Sequence, residues 1–312
     1  MAENRAGRLI PDTITELKTE MLVDSWELHL RAQNRSPSTI VVYIGAAVQL
    51  GEYLHAKGMP HLPAHIRREH VEAFIVDLLA RRTPATANNR YRALQQYFKW
   101  LIDDGEIRES PMAHMKPPKV PEQAPEMPTI AALQALLASC KGASFEERRD
   151  TAVIRLLIDT GMRRAEMASM TMAGTDLRAQ EVTITGKFNR ARRIPFGRKT
   201  AAALDRYERA RRQHNRADLP NYWLGARGAM TPSGVYQIVR DRAKQAGLEP
   251  MFTHLFRHGF ADAWLEAGGN ETDLMRHMGW RSRTMLTRYA ASRADQRARD
   301  AYRRLELPGD KL

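Results

Sequence analysis

The 312-residue chain has one cysteine, Cys140, so an internal disulfide framework is excluded. Aromatic residues are sparse at 7%, and no segment approaches the roughly 18 consecutive apolar residues of a membrane span. The opening MAENRAGRLIPDTITEL lacks an apolar run between its charges and a small-residue cleavage site, so it does not read as a secretory signal. A cytoplasmic protein with no membrane partner is expected. No repeat at a fixed period is found, and acidic side chains are the minority charge, 36 Asp and Glu against 49 Lys and Arg. The net charge of +13 favours a polyanionic partner, because basic side chains on phosphates release counterions. That excess is uneven: residues 1–120 hold 16 basic and 14 acidic side chains, and the remainder 33 and 22. A set of solvated charged helices is the plainer explanation of the same numbers.

The chain reads as two domains. Residues 13–112, after a short tail at 1–12, form a helical unit of four helices. One lies around Glu16–Leu30, and a second follows the cap-and-proline start Ser36-Pro37 and stops at Gly58. A third is carried by Val71, Phe74, Ile75 and Leu78, and the fourth follows Thr83-Pro84 and stops at Gly105. Six prolines between 111 and 128 predict an extended linker over 113–128. The second unit, 129–290, opens with helices near Ile130–Ser139 and Glu146–Thr160. A strand pair, Glu181–Thr185 and Arg192–Phe196, turns at Gly186–Arg190, and more helices follow. A tail at 291–312 carries Ala294, Ala298, Ala301 and Leu305 at helical spacing.

Four segments of the second unit carry chemistry. In Thr160-Gly161-Met162-Arg163-Arg164-Ala165-Glu166, Arg163 and Glu166 are three apart, so the carboxylate can fix the guanidinium; an ordinary surface ion pair has the same spacing. Gly186-Lys187-Phe188-Asn189-Arg190-Ala191-Arg192-Arg193-Ile194-Pro195 puts a basic tip on a hairpin, suited to a phosphate or simply to solvent. His254-Leu255-Phe256-Arg257-His258 heads a helix on which His254 and Arg257 can meet one anion. The His254/His258 pair has zinc-like spacing, but the acidic partner and the cysteines of such sites are missing, so no metal is expected. In Gly279-Trp280 through Tyr289, a lone tyrosine is ordinarily structural, yet it stands in a basic segment downstream of three potential anion-binding groups.

Taken together, the order Thr-Gly-x-Arg-x-x-Glu, Gly-Lys-x-Asn ending in Ile-Pro, His-x-x-Arg-His, and Gly-Trp nine residues before Tyr289 resembles the tyrosine recombinase (phage integrase) family, Xer- and Cre-like. The resemblance spans residues 12–312 and implies a mostly α fold with a small β-sheet. It implies an N-terminal four-helix core-binding, SAM-like domain and a C-terminal α+β catalytic domain. It also implies site-specific DNA recombination through a covalent 3′-phosphotyrosine, without cofactor, metal or ATP. Tyr289 would be the nucleophile, Lys187 the general acid, and Arg163 and Arg257 the phosphate clamp, with His254 as partner of that phosphate or of the Tyr289 proton and Trp280 as a further phosphate partner. Trp280 stands where many members have histidine, and Glu166 would orient Arg163. Arg90, Arg92, Arg190 and Arg192 are candidate DNA contacts. The implied partners are double-stranded DNA and other copies of the chain, as a tetramer on two sites with the tail docking on a neighbour. The two domains would close on the duplex as a clamp. A type IB topoisomerase-like relaxing enzyme and a catalytically silent DNA-binding regulator are the alternatives.

Overall fold

The computed structural model describes residues 11–121, 127–185, 191–248, 251–290, 294–304 and 309, with backbone only at 11, 12, 14, 19, 287–290, 294, 296, 297 and 301. The chain divides into two compact units, Met1–Glu122 and Gln123–Leu312. It is mostly helical with small sheets. No described helix is long and apolar enough to cross a membrane.

The first unit contains α1 (Pro11–Glu20), α2 (Val23–Ala32), α3 (Pro37–Ala56), α4 (Arg68–Arg81) and α5 (Pro84–Asp103). Ser36 and Thr83 accept the Thr39 and Thr86 amides and start α3 and α5, with proline at the first helical position of each. Trp26, Leu50, Leu54, Phe74, Tyr91, Leu94, Tyr97 and Phe98 form the core. Where the sequence suggests one helix over Glu16–Leu30, and four in all, the described residues hold five. The chain breaks at Leu22, whose φ is 52°. Two distant residues fix this break: the Tyr97 hydroxyl donates to Met21 O at 2.5 Å, and Met21 Sδ sits where a Cβ on Gly51 would be. The proline-rich stretch is also less free than its composition suggests. Tyr91 Oη donates to Met115 O (2.7 Å), Asn88 Nδ2 donates to Pro118 O (2.8 Å), and Met112 is buried.

The second unit is built around α7 (Phe145–Thr160), which follows α6 (Ile130–Ala138) and starts from a reciprocal Ser144/Glu147 cap. Ala152, Val153, Ile154, Leu156 and Leu157 of α7 are fully buried. Next come α8 (Arg164–Ala168), the antiparallel sheet β1 (Thr175–Asp176), β2 (Glu181–Thr185) and β3 (Ala191–Pro195), and α9 (Arg198–Arg211). The short pair β4 (Leu224–Gly225) and β5 (Gly228–Ala229) precedes α10 (Pro232–Gln245), α11 (Thr253–Glu266), α12 (Glu271–Met278), α13 (Arg283–Ala290) and α14 (Ala294–Arg304). Strand β3 begins one residue earlier than the pattern suggests, with Ile184 opposite Arg192 and Val182 opposite Ile194. Tyr207, Tyr222 and Trp223 pack ring on ring, Tyr207 lying 5.0 Å from Trp223. Asp150 is buried between Arg149 and Arg242, at 2.9 and 2.8 Å. Cys140 is buried too, and burial pushes its thiol up to about 11.

Candidate active site

Four segments of the second unit meet where α7 ends and α12 ends. Arg163 caps the short α8, and Glu166, in its first turn, accepts the Arg163 amide at 2.8 Å and Arg163 Nη1 at 2.9 Å. This is the i,i+3 pair expected from sequence, but it is no surface pair, since Glu166 is only 8% exposed. Arg257, on the first turns of α11, is 1% exposed and donates to Gly161 O (2.8 Å) and Met278 O (2.6 Å). Arg163 Nη1 reaches the same Met278 carbonyl at 3.3 Å. The last carbonyls of α12 carry its partial negative charge and have no helical partner, so they are natural acceptors for guanidinium groups.

A third arginine joins them. Arg192 of β3 donates Nη2 to Glu166 Oε2 at 2.9 Å and Nε to His277 O at 3.1 Å. Arg192, a candidate DNA contact from the sequence, is thus turned inward into this cluster, with Nε and Nη2 engaged by protein acceptors. Strand alternation explains the direction, because Arg192 shares its face with buried Ile194. Burial alone would raise the Glu166 pKa. Hydrogen bonds from Arg192 and the Arg163 amide, with both positive charges, bring it below the ordinary carboxylate value.

Trp280 follows α12 directly and packs with Ala261, Leu274, Met278 and Leu286; the Arg257 guanidinium lies 5.3 Å from its ring centre. His254 stands one turn before Arg257 with an exposed surface. Desolvation and the charges of Arg257, Arg164 and Arg163 depress its pKa. His258 is driven down to about 4 by burial and by His254 and Arg257. His277 is engaged elsewhere: its ring stacks on Phe260 at 4.6 Å, and its Nε2 pairs with Thr160 O at 2.9 Å. Such an arrangement presents fixed positive charge and a neutral imidazole to an anion, the requirement of phosphoryl transfer.

Tyr289 belongs to α13, nine residues beyond Trp280; its side chain lies outside the described residues, as do Lys187 and Arg190. In the first unit Arg92 is exposed on α5, and Arg90 donates to Val42 O at 3.1 Å. Among the described residues no group of three or more His, Cys, Asp or Glu side chains is placed to hold a metal ion. Sequence reasoning missed the Arg192–Glu166 pair and the role of the Met278 carbonyl. The period-2 pattern of β3 could have shown the first, whereas a backbone acceptor has no side-chain signature.

Residues 129–296 match the phage integrase family, and residues 22–106 match the phage integrase N-terminal SAM-like domain. The tyrosine recombinase XerC of Roseiflexus castenholzii is 31% identical over 255 residues, covering 79% of this chain and 81% of that protein. XerD of Listeria monocytogenes serotype 4b is 29% identical over 230 residues, 72% of this chain and 77% of that one. A similar fold is found in a lambda integrase dimer bound to a COC′ core site, with TM-score 0.70, 15% identity, and coverage of 93% and 83%. The XerH recombinase bound to palindromic difH substrate also shares it, with TM-score 0.68, 18% identity, and coverage of 88% and 82%. The chain belongs to the phage integrase family of tyrosine recombinases.

Proposed function

We propose that this chain is a site-specific DNA recombinase that cuts and rejoins strands through Tyr289. The observation that carries this reading is the convergence of Arg163 and Arg257 on one carbonyl, Met278 O, eleven residues before the nucleophile. In the reaction the Tyr289 oxygen bonds to phosphorus and the bond from phosphorus to the 5′-oxygen breaks, leaving a 3′-phosphotyrosine. His254, kept neutral by desolvation and its cationic neighbours, takes the tyrosine proton, and Lys187 gives one to the departing 5′-oxygen. Arg163 and Arg257 carry the charge that grows on the non-bridging oxygens, and the Arg257 guanidinium lies over the Trp280 ring. Attack by another 5′-hydroxyl reverses the step with the partner strand, so ATP is not needed. Side chains supply the positive charge, and no metal or cofactor is invoked.

The partners in this reading are double-stranded DNA, through Arg92 and the basic second unit among others, and further copies of the chain in a tetramer on two sites. Ala298 of the tail helix is exposed on its own chain, which supports docking of that stripe on a neighbour. The compartment in this reading is the cytoplasm.

Trapping the covalent strand on denaturing gels tests the reading. The wild-type chain should give an adduct that survives excess EDTA, and Tyr289→Phe should bind the site normally and give none. Lys187→Ala should cleave only when sulfur replaces the 5′-bridging oxygen, since a thiolate leaves unprotonated. An adduct from Tyr289→Phe would refute the assignment.

A further inference from the structure

The clamp formed by Arg163 and Arg257 leaves Arg192 without a task, although it is the residue that completes the surroundings of Glu166. One Glu166 oxygen, Oε1, takes Arg163 Nη1; the other, Oε2, is shared between the Arg163 amide and Arg192 Nη2. Among the described residues, Arg163 Nε and Nη2 meet no protein acceptor. A carboxylate facing a single guanidinium favours the two-pronged fork, which engages two of its nitrogens at once. Arg192 stands in the way of that fork. It is pinned by its second bond, to His277 O, and it lies so close to Gly279 that a Cβ there would come within 3.1 Å of its Cζ.

The geometry points to Arg192 as a positioning residue for the strand-cleavage step: by occupying one oxygen of Glu166, it leaves two nitrogens of Arg163 for the scissile phosphate. This rests on the recombinase reading above. Without Arg192, Glu166 Oε2, now held only by the Arg163 amide, is open to a second nitrogen of the Arg163 guanidinium, and one of the three positive charges around the phosphate is lost. The defect would then be specific to the charge on the non-bridging oxygens. Proton transfer to the leaving group would be untouched.

The test measures single-turnover cleavage on two substrates, an ordinary phosphodiester and one with a methyl group in place of a non-bridging oxygen, which removes the negative charge. Arg192→Met should cleave the phosphodiester about 100-fold more slowly than wild type, yet come within about 3-fold of it on the methylphosphonate. Lys187→Ala is the control and should stay slow on both, because its missing proton is still missing. Equal losses for Arg192→Met on the two substrates would mark a merely structural role and overturn the proposal, as would wild-type rates on both. If Arg192→Met does not fold, Arg192→Lys takes its place, with about a 10-fold loss confined to the phosphodiester; a loss on both substrates, or on neither, again overturns it. Absence of an adduct from the wild-type chain itself would instead bring down the recombinase reading and this assignment with it.

Discussion

Among the described residues the first unit buries no charged side chain, whereas the second buries Asp150, Glu166, Arg211, Arg257 and Asp262. The difference follows from how each backbone is satisfied. Long helices pair their own amides and carbonyls, so the first unit needs little more than apolar packing and the hydroxyls of Tyr91 and Tyr97 on two stray carbonyls. The second unit contains irregular stretches whose carbonyls need donors. Arg211 alone serves Ala217, Leu219, Asn221 and Tyr222 from within the core, and Arg257 does the same for Gly161 and Met278. Buried cations here substitute for missing secondary structure, and Arg257 at the candidate site is held by two backbone carbonyls.

The sharpest test of the contrast is Trp26→Ala. It should cost about 3–5 kcal/mol in the first unit, through the cavity left beneath Tyr97 and Trp100. Urea unfolding followed by circular dichroism should show an early transition for that unit alone; a matching shift of the second would break the comparison. Next in size, Arg257→Met should lower cleavage by about 10²–10³-fold. It should change stability by less than about 2 kcal/mol, because relief of a buried charge offsets the lost donor to Gly161 O, while Met278 O keeps Arg163 Nη1. A large stability loss would mean that the charge serves the fold more than the chemistry.

Acid should separate the units further. The His258 pKa lies at about 4 against an ordinary 6.5, so between those values the unfolded chain binds the extra proton and the folded one does not. Its contribution is complete above 6.5 and is lost as pH falls towards 4. The urea midpoint of the second unit should decline over that interval, and His258→Gln should flatten the decline; a slope unaltered by the substitution would contradict it. Glu166, depressed in its turn, should add a loss at still lower pH. The smallest effect is Glu72→Gln on α4, which removes an exposed pair with Arg68 and should shift the first unit by under about 0.5 kcal/mol.

Local signals in the sequence carried most of this architecture. The pairs Ser36-Pro37 and Thr83-Pro84, with Gly58 and Gly105, mark the ends of α3 and α5, and α7 was legible nearly to the residue. What escaped depends on partners far along the chain. The break at Leu22 has neither glycine nor proline nearby and is set by Tyr97 and Gly51. Strands β1, β4 and β5 are two residues long, too short for any period to show. At the site, Arg163 with Glu166 could be read as a pair from spacing, while Arg192, 26 residues away, looked like surface charge until β3 turned it inward.

Cys140 gives the molecule an internal clock. It is the only thiol in the chain, it sits in the second unit, and its burial suppresses the thiolate that alkylating reagents require. Labelling at neutral pH therefore proceeds through openings of the second unit, and its rate counts them while the first unit stays silent. Added DNA should slow that rate in proportion to how much it steadies the catalytic unit. A single reagent can thus time events in one half of the protein without any engineered probe.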